Sequence, residues 1–421
     1  MSNHVLPPDT QAILLLCASF GQNRQLEPQP LTLSEYNSLA DWLRENQMRP
    51  ADLLEPTAQE VLEKIHDSKL DPNRLLALLQ RGGMLSLAVE KWTNQGLWVL
   101  GRGDTNYPRR LKQVLRLSAP PILYGVGNIE LLSMGGLAIV GSRDVDEESL
   151  SYTHRVAQTC CASNLQVISG GARGVDRTAM LGVLEAGGTS VGVLADSLTK
   201  ASVDGKYRSS IKEGRLALVS SYDPDAGFNI GHAMGRNKYI YALADYGLVV
   251  SSSVGKGGTW AGAVEVLQRF RDIPVFVRMD SNVLEGNRQL YEQGAKPFPH
   301  EPWNAPLREL LAAAASKNES VEVTEAITTP QPTANTEPQG IQDNTKDIIY
   351  EAVLPFILDR LQQPKDAKSL AESLNVRQSQ MQDWLNKAVM EGRVRKINKP
   401  SAYVAVNQLV IPFDEKCDPN R

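Results

Sequence analysis

Between residues 136 and 299, short apolar runs alternate with segments whose apolar residues recur every three or four positions. The runs are Leu137–Val140, Gln166–Ser169, Ser190–Leu194, Leu216–Ser220, Leu248–Ser251 and Pro274–Arg278. Each is short and almost uninterrupted, as a strand covered on both faces by helices must be. Strand and helix patterns in alternation predict an α/β domain with a mostly parallel, doubly wound sheet. A set of buried helices would show similar runs, but the Gly-rich turns that close them disfavour it.

The flanks have a different pattern. Residues 10–95 carry leucines at three- and four-residue steps (Leu39, Leu43, Leu53, Leu54, Leu62, Leu75, Leu78, Leu79), which predicts a small helical domain. The prolines at 108, 120 and 121 forbid one continuous helix through 97–127, so irregular structure with a short strand is expected there. Residues 312–343 turn rich in Ala, Thr, Pro, Gln and Glu and read as a flexible linker. Beyond it, three helical patterns and the hairpin-like stretch Gly392–Val404 form a winged-helix pattern, with Arg377 to Met390 as its candidate recognition helix. The expected domains are 1–95 (helical), 96–311 (Rossmann-type), 312–343 (linker) and 344–421 (winged helix).

Charge narrows the picture only locally. The net charge of −4 gives no global attraction for polyanions, and residues 136–300 hold 17 Lys+Arg against 17 Asp+Glu. Residues 344–406 carry ten Lys+Arg against seven Asp+Glu, a modest excess that fits nucleic-acid and protein contact equally well. The cysteines Cys17, Cys160, Cys161 and Cys417 have neither zinc nor disulfide spacing, so a reducing cytoplasm, no metal and no cofactor are expected. No apolar run is long enough for a membrane span.

Candidate chemistry lies in four segments expected to be loops at the carboxyl ends of strands. They are Gly141-Ser142-Arg143, Ser169-Gly170-Gly171-Ala172-Arg173-Gly174, Gly235-Arg236-Asn237-Lys238 and Gly255-Lys256-Gly257-Gly258-Thr259. Small residues let backbone amides approach an anion, helix starts add partial positive charge, and each segment carries a cation. In an open α/β sheet such loops gather at one edge, so a basic groove is expected there. Any one glycine turn reads equally well as tight packing. Asp176 could cap its helix or brace Arg173, with the structural role favoured. Trp260 and Tyr239 read as core aromatics before base-stacking ones, and His232 as a helix-start residue. Lys256 precedes the glycine pair, which is not a Walker arrangement, and the five histidines fit no hydrolytic template.

The chain resembles the DprA/Smf family of DNA-processing proteins. The resemblance rests on Tyr107-Pro108-Xaa-Xaa-Leu111, Pro120-Pro121-Ile122-Leu123-Tyr124-Gly125, Ala138–Arg143, Ser169–Asp176, Gly235–Lys238 and Gly286-Asn287 through Gly294-Ala295, in order across about 104–296. It implies an extended Rossmann-like domain that binds single-stranded DNA, forms a homodimer, and protects incoming DNA while loading a RecA-type recombinase in transformation or recombination. It also implies that Arg143, Arg173, Arg236 and Lys238 form a basic pocket over a floor of Gly141, Ser142, Ser169, Gly170 and Gly174. The chain departs from the family pattern at Met180, where the family usually has His, and in carrying Arg177. Ala195–Leu198 and Ser251–Thr259 are further departures and mark a divergent branch. Gly257-Gly258-Thr259 is also similar to the phosphate loop of Lonely Guy nucleotide hydrolases, with Glu265 displaced by about 4.5 Å along the helix from the expected carboxylate. A nucleotide hydrolase, or a nucleotide sensor in phage defence, is therefore the alternative to a non-enzymatic DNA-binding protein.

Overall fold

The computed structural model describes residues 6–20, 28–65, 67–280, 283–316, 345–374, 376, 378–398 and 401–405. The chain divides into two compact units, Met1–Thr336 and Glu337–Arg421.

The first unit is built on a nine-stranded sheet. Its strands are β1 (Trp98–Gly101), β2 (Ile122–Gly127), β3 (Leu137–Gly141), β4 (Val167–Ser169), β5 (Ser190–Val193), β6 (Leu216–Ser220), β7 (Tyr246–Ser251), β8 (Val275–Val277) and β9 (Lys296–Pro297). They lie in the order β1-β2-β6-β5-β4-β3-β7-β8-β9. From β6 to β9 every pairing is parallel, while β1 and β2 extend the β6 edge antiparallel. The six runs read from the sequence are thus six adjacent parallel strands. The chain leaves β3 in one direction through β4, β5 and β6, then returns to its other side at β7. That reversal puts a topological switch point at the carboxyl ends of β3 and β7.

Side-chain alternation explains why the runs are apolar throughout. Leu137 and Ile139 point into one buried cluster with Val167, Leu216, Leu218 and Leu248, while Ala138 and Val140 join Ile168, Ala217, Val219 and Val249 in the other. Each fully buried Val, Leu or Ile contributes roughly 1.5–3 kcal/mol, so both faces of these strands are committed to the core and leave function to the loops.

Residues 97–127 hold more order than the prolines imply: two strands enclose the helix Arg109–Leu115, which starts directly after Pro108. The helix Pro8–Cys17 is tied to this region, since Thr10 Oγ1 donates to the Asp104 carboxylate at 2.7 Å. Arg81 is buried and donates to the Ala18 carbonyl at 3.0 Å.

The second unit contains helices Thr345–Arg360, Ala367–Leu374 and Gln378–Met390, and strands Val394–Asn398 and Ser401–Ala405 paired antiparallel. Its core includes Val353, Leu354, Ile357, Leu370, Met381, Leu385 and Val394. Most of the expected linker, and Arg377, lie outside the described residues; helix Leu307–Ser316 occupies the start of the range assigned to the linker.

Candidate nucleic-acid interface

The first two turns interlock through their backbones. Gly174 has φ +83°, and a Cβ there would meet the Ser142 and Arg143 carbonyl oxygens at 2.6 Å, so the second turn rests directly on the first. At Gly170 a Cβ would lie 2.6 Å from Arg236 Cζ. These glycines are fixed by close approach, and the approach aligns the two turns.

Beneath them lie two buried, oppositely charged side chains, Asp176 and Arg236. Asp176 is 6% exposed and lies in the field of the Arg236 guanidinium and of the backbone amides of Gly141, Ala172 and Gly170. Burial raises its pKa from 3.8 to about 6, against the opposing pull of Arg236 and those amides. Arg236 is 5% exposed; burial lowers its pKa, with Asp176 opposing, and its Nη1 donates to the Gly170 carbonyl at 2.5 Å and to Val193 O. Asp176 thus acts on Arg236 through space, and Arg173 pairs instead with the exposed Asp144.

Arg236 does not sit in a loop. The helix runs Ile230–Leu243, capped by Asn229, whose side chain accepts from His232 N at 3.1 Å. Gly235–Lys238 are thus interior helical positions, and successive residues face different ways. Arg236 points under the β4 turn. Asn237 Nδ2 donates to the Gly258 carbonyl at 2.7 Å, and Lys238 is lowered in pKa by burial, with Glu265 as its nearest opposing charge. The fourth segment also differs from expectation: Lys256 is the N-cap of helix Gly257–Arg269, so the glycine pair forms its first turn. Thr259 Oγ1 donates to the Gly141 carbonyl at 2.9 Å. Ser169 Oγ donates to Ile139 O at 2.6 Å, and Ser142 N donates to Ser251 O at 3.1 Å. Ser142, Ser169, Asn237, Gly258 and Thr259 therefore join the strand ends to one another.

The open feature at this edge is a cleft of about 420 Å³. Among the residues named from sequence, Arg143, Gly170, Gly171, Arg173 and Arg236 line it; Lys238, Lys256 and Glu265 do not. Its far wall is the segment after β5, which contributes Asp196, Lys200, Asp204 and Lys206, and Arg177 completes the rim. Six cations and two carboxylates line the cleft. A second groove of about 500 Å³ lies alongside and shares Arg143, Arg173 and Arg177, with Gly174 in its wall. These three exposed arginines form a ridge between two depressions, a shape that suits a chain of phosphates. Beside the ridge, Phe228 is 48% exposed with the Arg143 guanidinium over its ring at 5.0 Å.

Sequence reasoning missed Arg177, Lys200, Lys206 and Phe228. Arg177 stands four residues after Arg173, one turn along the helix that the β4 turn opens, and that spacing was a usable signal. Met180 is buried against Gly192 of β5, where a Cβ would lie 2.5 Å from its Cε. Trp260 packs against the core and Tyr239 lies within it, as expected, although Tyr239 sits well inside helix Ile230–Leu243 and not at a helix start.

Residues 98–303 match the model of the family described as DNA recombination-mediator protein A. The chain is 27% identical over 195 residues to the DNA processing protein DprA of Streptococcus pneumoniae, covering 46% of this chain and 68% of the relative. It is 32% identical over 161 residues to the protein Smf of Synechocystis, covering 37% of this chain and 39% of that protein. The crystal structure of the pneumococcal DprA superposes with a TM-score of 0.53 at 20% identity, across 67% of this chain and 93% of the other, so the two share a fold.

Proposed function

Residues 98–303 are a DprA/Smf-family domain, and on that premise we propose that this protein is a recombination mediator whose ridged edge holds single-stranded DNA. The observation that carries the reading is the line of exposed Arg143, Arg173 and Arg177 shared by two adjacent depressions. Arginines on an exposed rim contact successive phosphates without reading sequence, and a half-exposed aromatic beside them offers a face to a base. A bound strand follows the ridge, with the interlocked glycine turns as its rigid base.

The finer roles follow the resemblance. The protein shields incoming single strands, acts as a homodimer, and delivers the strand to a RecA-type recombinase. The unit from Glu337 onward, with its three helices and hairpin, acts as a winged-helix module that adds a nucleic-acid or partner contact. Tethering by the intervening segment raises its effective concentration at the strand.

Over the hydrolase reading, this proposal is favoured by the position of Glu265. That residue pairs with Arg269 at 3.8 Å, faces Lys238 and does not line the cleft. The test is fluorescence anisotropy with a labelled oligo-dT across a salt series. Wild type shows log Kd rising linearly with log salt, and Arg143→Ala with Arg173→Ala lowers the slope by about two. Binding that ignores salt, or a double variant indistinguishable from wild type, would falsify it. Cleavage of nucleoside monophosphates that stops in Glu265→Gln would put the hydrolase reading in its place.

A further inference from the structure

The cationic cleft holds two carboxylates, and only one of them is neutralised. Asp204 caps the helix Gly205–Lys212 and pairs with Lys206 at 2.6 Å. Asp196 is half-buried and, among the described residues, makes no ion pair or hydrogen bond, although it lies in the same cleft as Arg236. Arg236 is already engaged by Asp176, Gly170 O and Val193 O. In a cleft built for phosphates a free carboxylate repels the ligand, and it is tolerated at no cost to binding only if the ligand brings hydrogen-bond donors to it.

The backbone places Asp196 where such donors would arrive. The next residue, Ser197, adopts a left-handed φ of +52° and its amide donates to the Ala226 carbonyl at 2.8 Å, while Thr199 N donates to Pro224 O at 3.1 Å. The turn bearing Asp196 is thereby bonded to the loop that carries Phe228 two residues beyond Ala226. The cleft thus combines the aromatic face of Phe228, beside Arg143 of the ridge, with the acceptor Asp196 on the turn bonded to its loop. A base lying on Phe228 presents its edge, or its sugar, to that acceptor.

We propose that Asp196 is a specificity-determining residue that accepts hydrogen bonds from the nucleotide seated beside Phe228. Two donors fit a carboxylate: the adjacent N1–H and N2–H of guanine, which match its two oxygens, and the ribose 2′-hydroxyl. Thymine offers one N–H flanked by two carbonyl oxygens that the carboxylate repels, so oligo-dT is the disfavoured ligand. The inference rests on the single-strand reading above.

The experiment compares three oligomers of equal length with the full chain by anisotropy: oligo-dT, oligo-dT with interspersed dG, and oligo-rU. Wild type is expected to bind the dG-bearing or the ribo oligomer about tenfold more tightly than oligo-dT, as one charge-assisted hydrogen bond implies. Whichever oligomer is preferred identifies the donor. In Asp196→Asn the preference shrinks to within about twofold while oligo-dT binds more tightly than to wild type, because the repulsion is gone. A structural role would instead weaken all three together, and Asp196→Ala checks that the lost charge is responsible. Equal, salt-dependent binding of the three by wild type, or a preference that survives in Asp196→Asn, overturns the inference and leaves the single-strand reading intact. Absence of salt-dependent binding to any of them overturns both.

Discussion

The floor and the ridge of this cleft are made of the same residue type in opposite circumstances. Arg236 on the floor is 5% exposed, lies in the field of Asp176 and is held by two carbonyls, whereas Arg143 and Arg177 on the ridge are exposed and pair with no carboxylate among the described residues. A guanidinium taken from water must have its charge answered by the protein, and once answered it has little left for a ligand. One left in water costs the fold almost nothing and keeps its charge for a phosphate. Stability and affinity should therefore separate along this line, and each experiment below can break the separation.

The largest effect is expected at Arg236. Replacement by Ala removes the charge that offsets buried Asp176 and the donor to the Gly170 and Val193 carbonyls, which should cost about 3–5 kcal/mol, read as a lower denaturant midpoint at unchanged slope. A variant that folds as stably as wild type and loses only DNA affinity would place Arg236 with the ridge. The pair also has a pH signature. Asp176's folded pKa of about 6 lies above the ordinary 3.8, so the folded state holds its proton more tightly than the unfolded one. Its burial therefore costs nothing below 3.8, and the cost grows as pH rises until it is complete above about 6. Unfolding midpoints of wild type relative to Asp176→Asn should fall across that window and level off above it. A difference that rises with pH would show that the Arg236 field outweighs burial.

Next comes Phe228→Ala. Loss of one stacked base costs about 1–3 kcal/mol of binding. The salt slope stays unchanged because no phosphate contact is removed. Arg143→Ala and Arg177→Ala act in the complementary sense: each lowers the salt slope by about one, and each leaves the unfolding midpoint within about 0.5 kcal/mol of wild type. If Phe228→Ala flattens the slope, the aromatic acts by holding Arg143 in place over its ring.

The sequence announced the floor better than the ridge, for reasons that are physical. Apolar runs with turns of Gly141 and Gly170–Gly174 report burial and close approach, which are local demands, so six parallel strands and two of the turns were legible. Arg236 was read as a loop residue because Gly231, His232, Gly235 and Asn237 are poor helix formers; tertiary packing and the Asn229 cap override them. Within that helix, Arg236, Asn237 and Lys238 point in different directions, so three neighbours in sequence do not share a site. The far wall was missed because Asp196, Lys200, Asp204 and Lys206 alternate in sign and show no cationic excess, and only the fold brings them into one cleft with Arg143 and Arg173. Lys256 was expected at the groove, but a lysine at a helix N-cap has no reason to turn toward it.

The smallest effect tests the boundary between the two regimes. Arg173 belongs to the ridge by position and exposure, yet it has a partner: Asp144, with side chains 69% and 86% exposed. An exposed pair is worth roughly 0.2–1 kcal/mol, so it neither anchors the fold nor silences the arginine. Asp144→Asn should leave the unfolding midpoint almost unmoved. Single-strand affinity should rise a few-fold at low salt, because a carboxylate bordering the phosphate path has been neutralised, and the gain should fade at high salt, where screening had already weakened the repulsion. Asp146 lines the same groove but is engaged as the N-cap of helix Glu147–Ala162, accepting from Ser149 N at 2.8 Å, so neutralising it should do less. If Asp144→Asn lowers affinity instead, the carboxylate was orienting Arg173 toward the strand, and the ridge, like the floor, depends on paired charge.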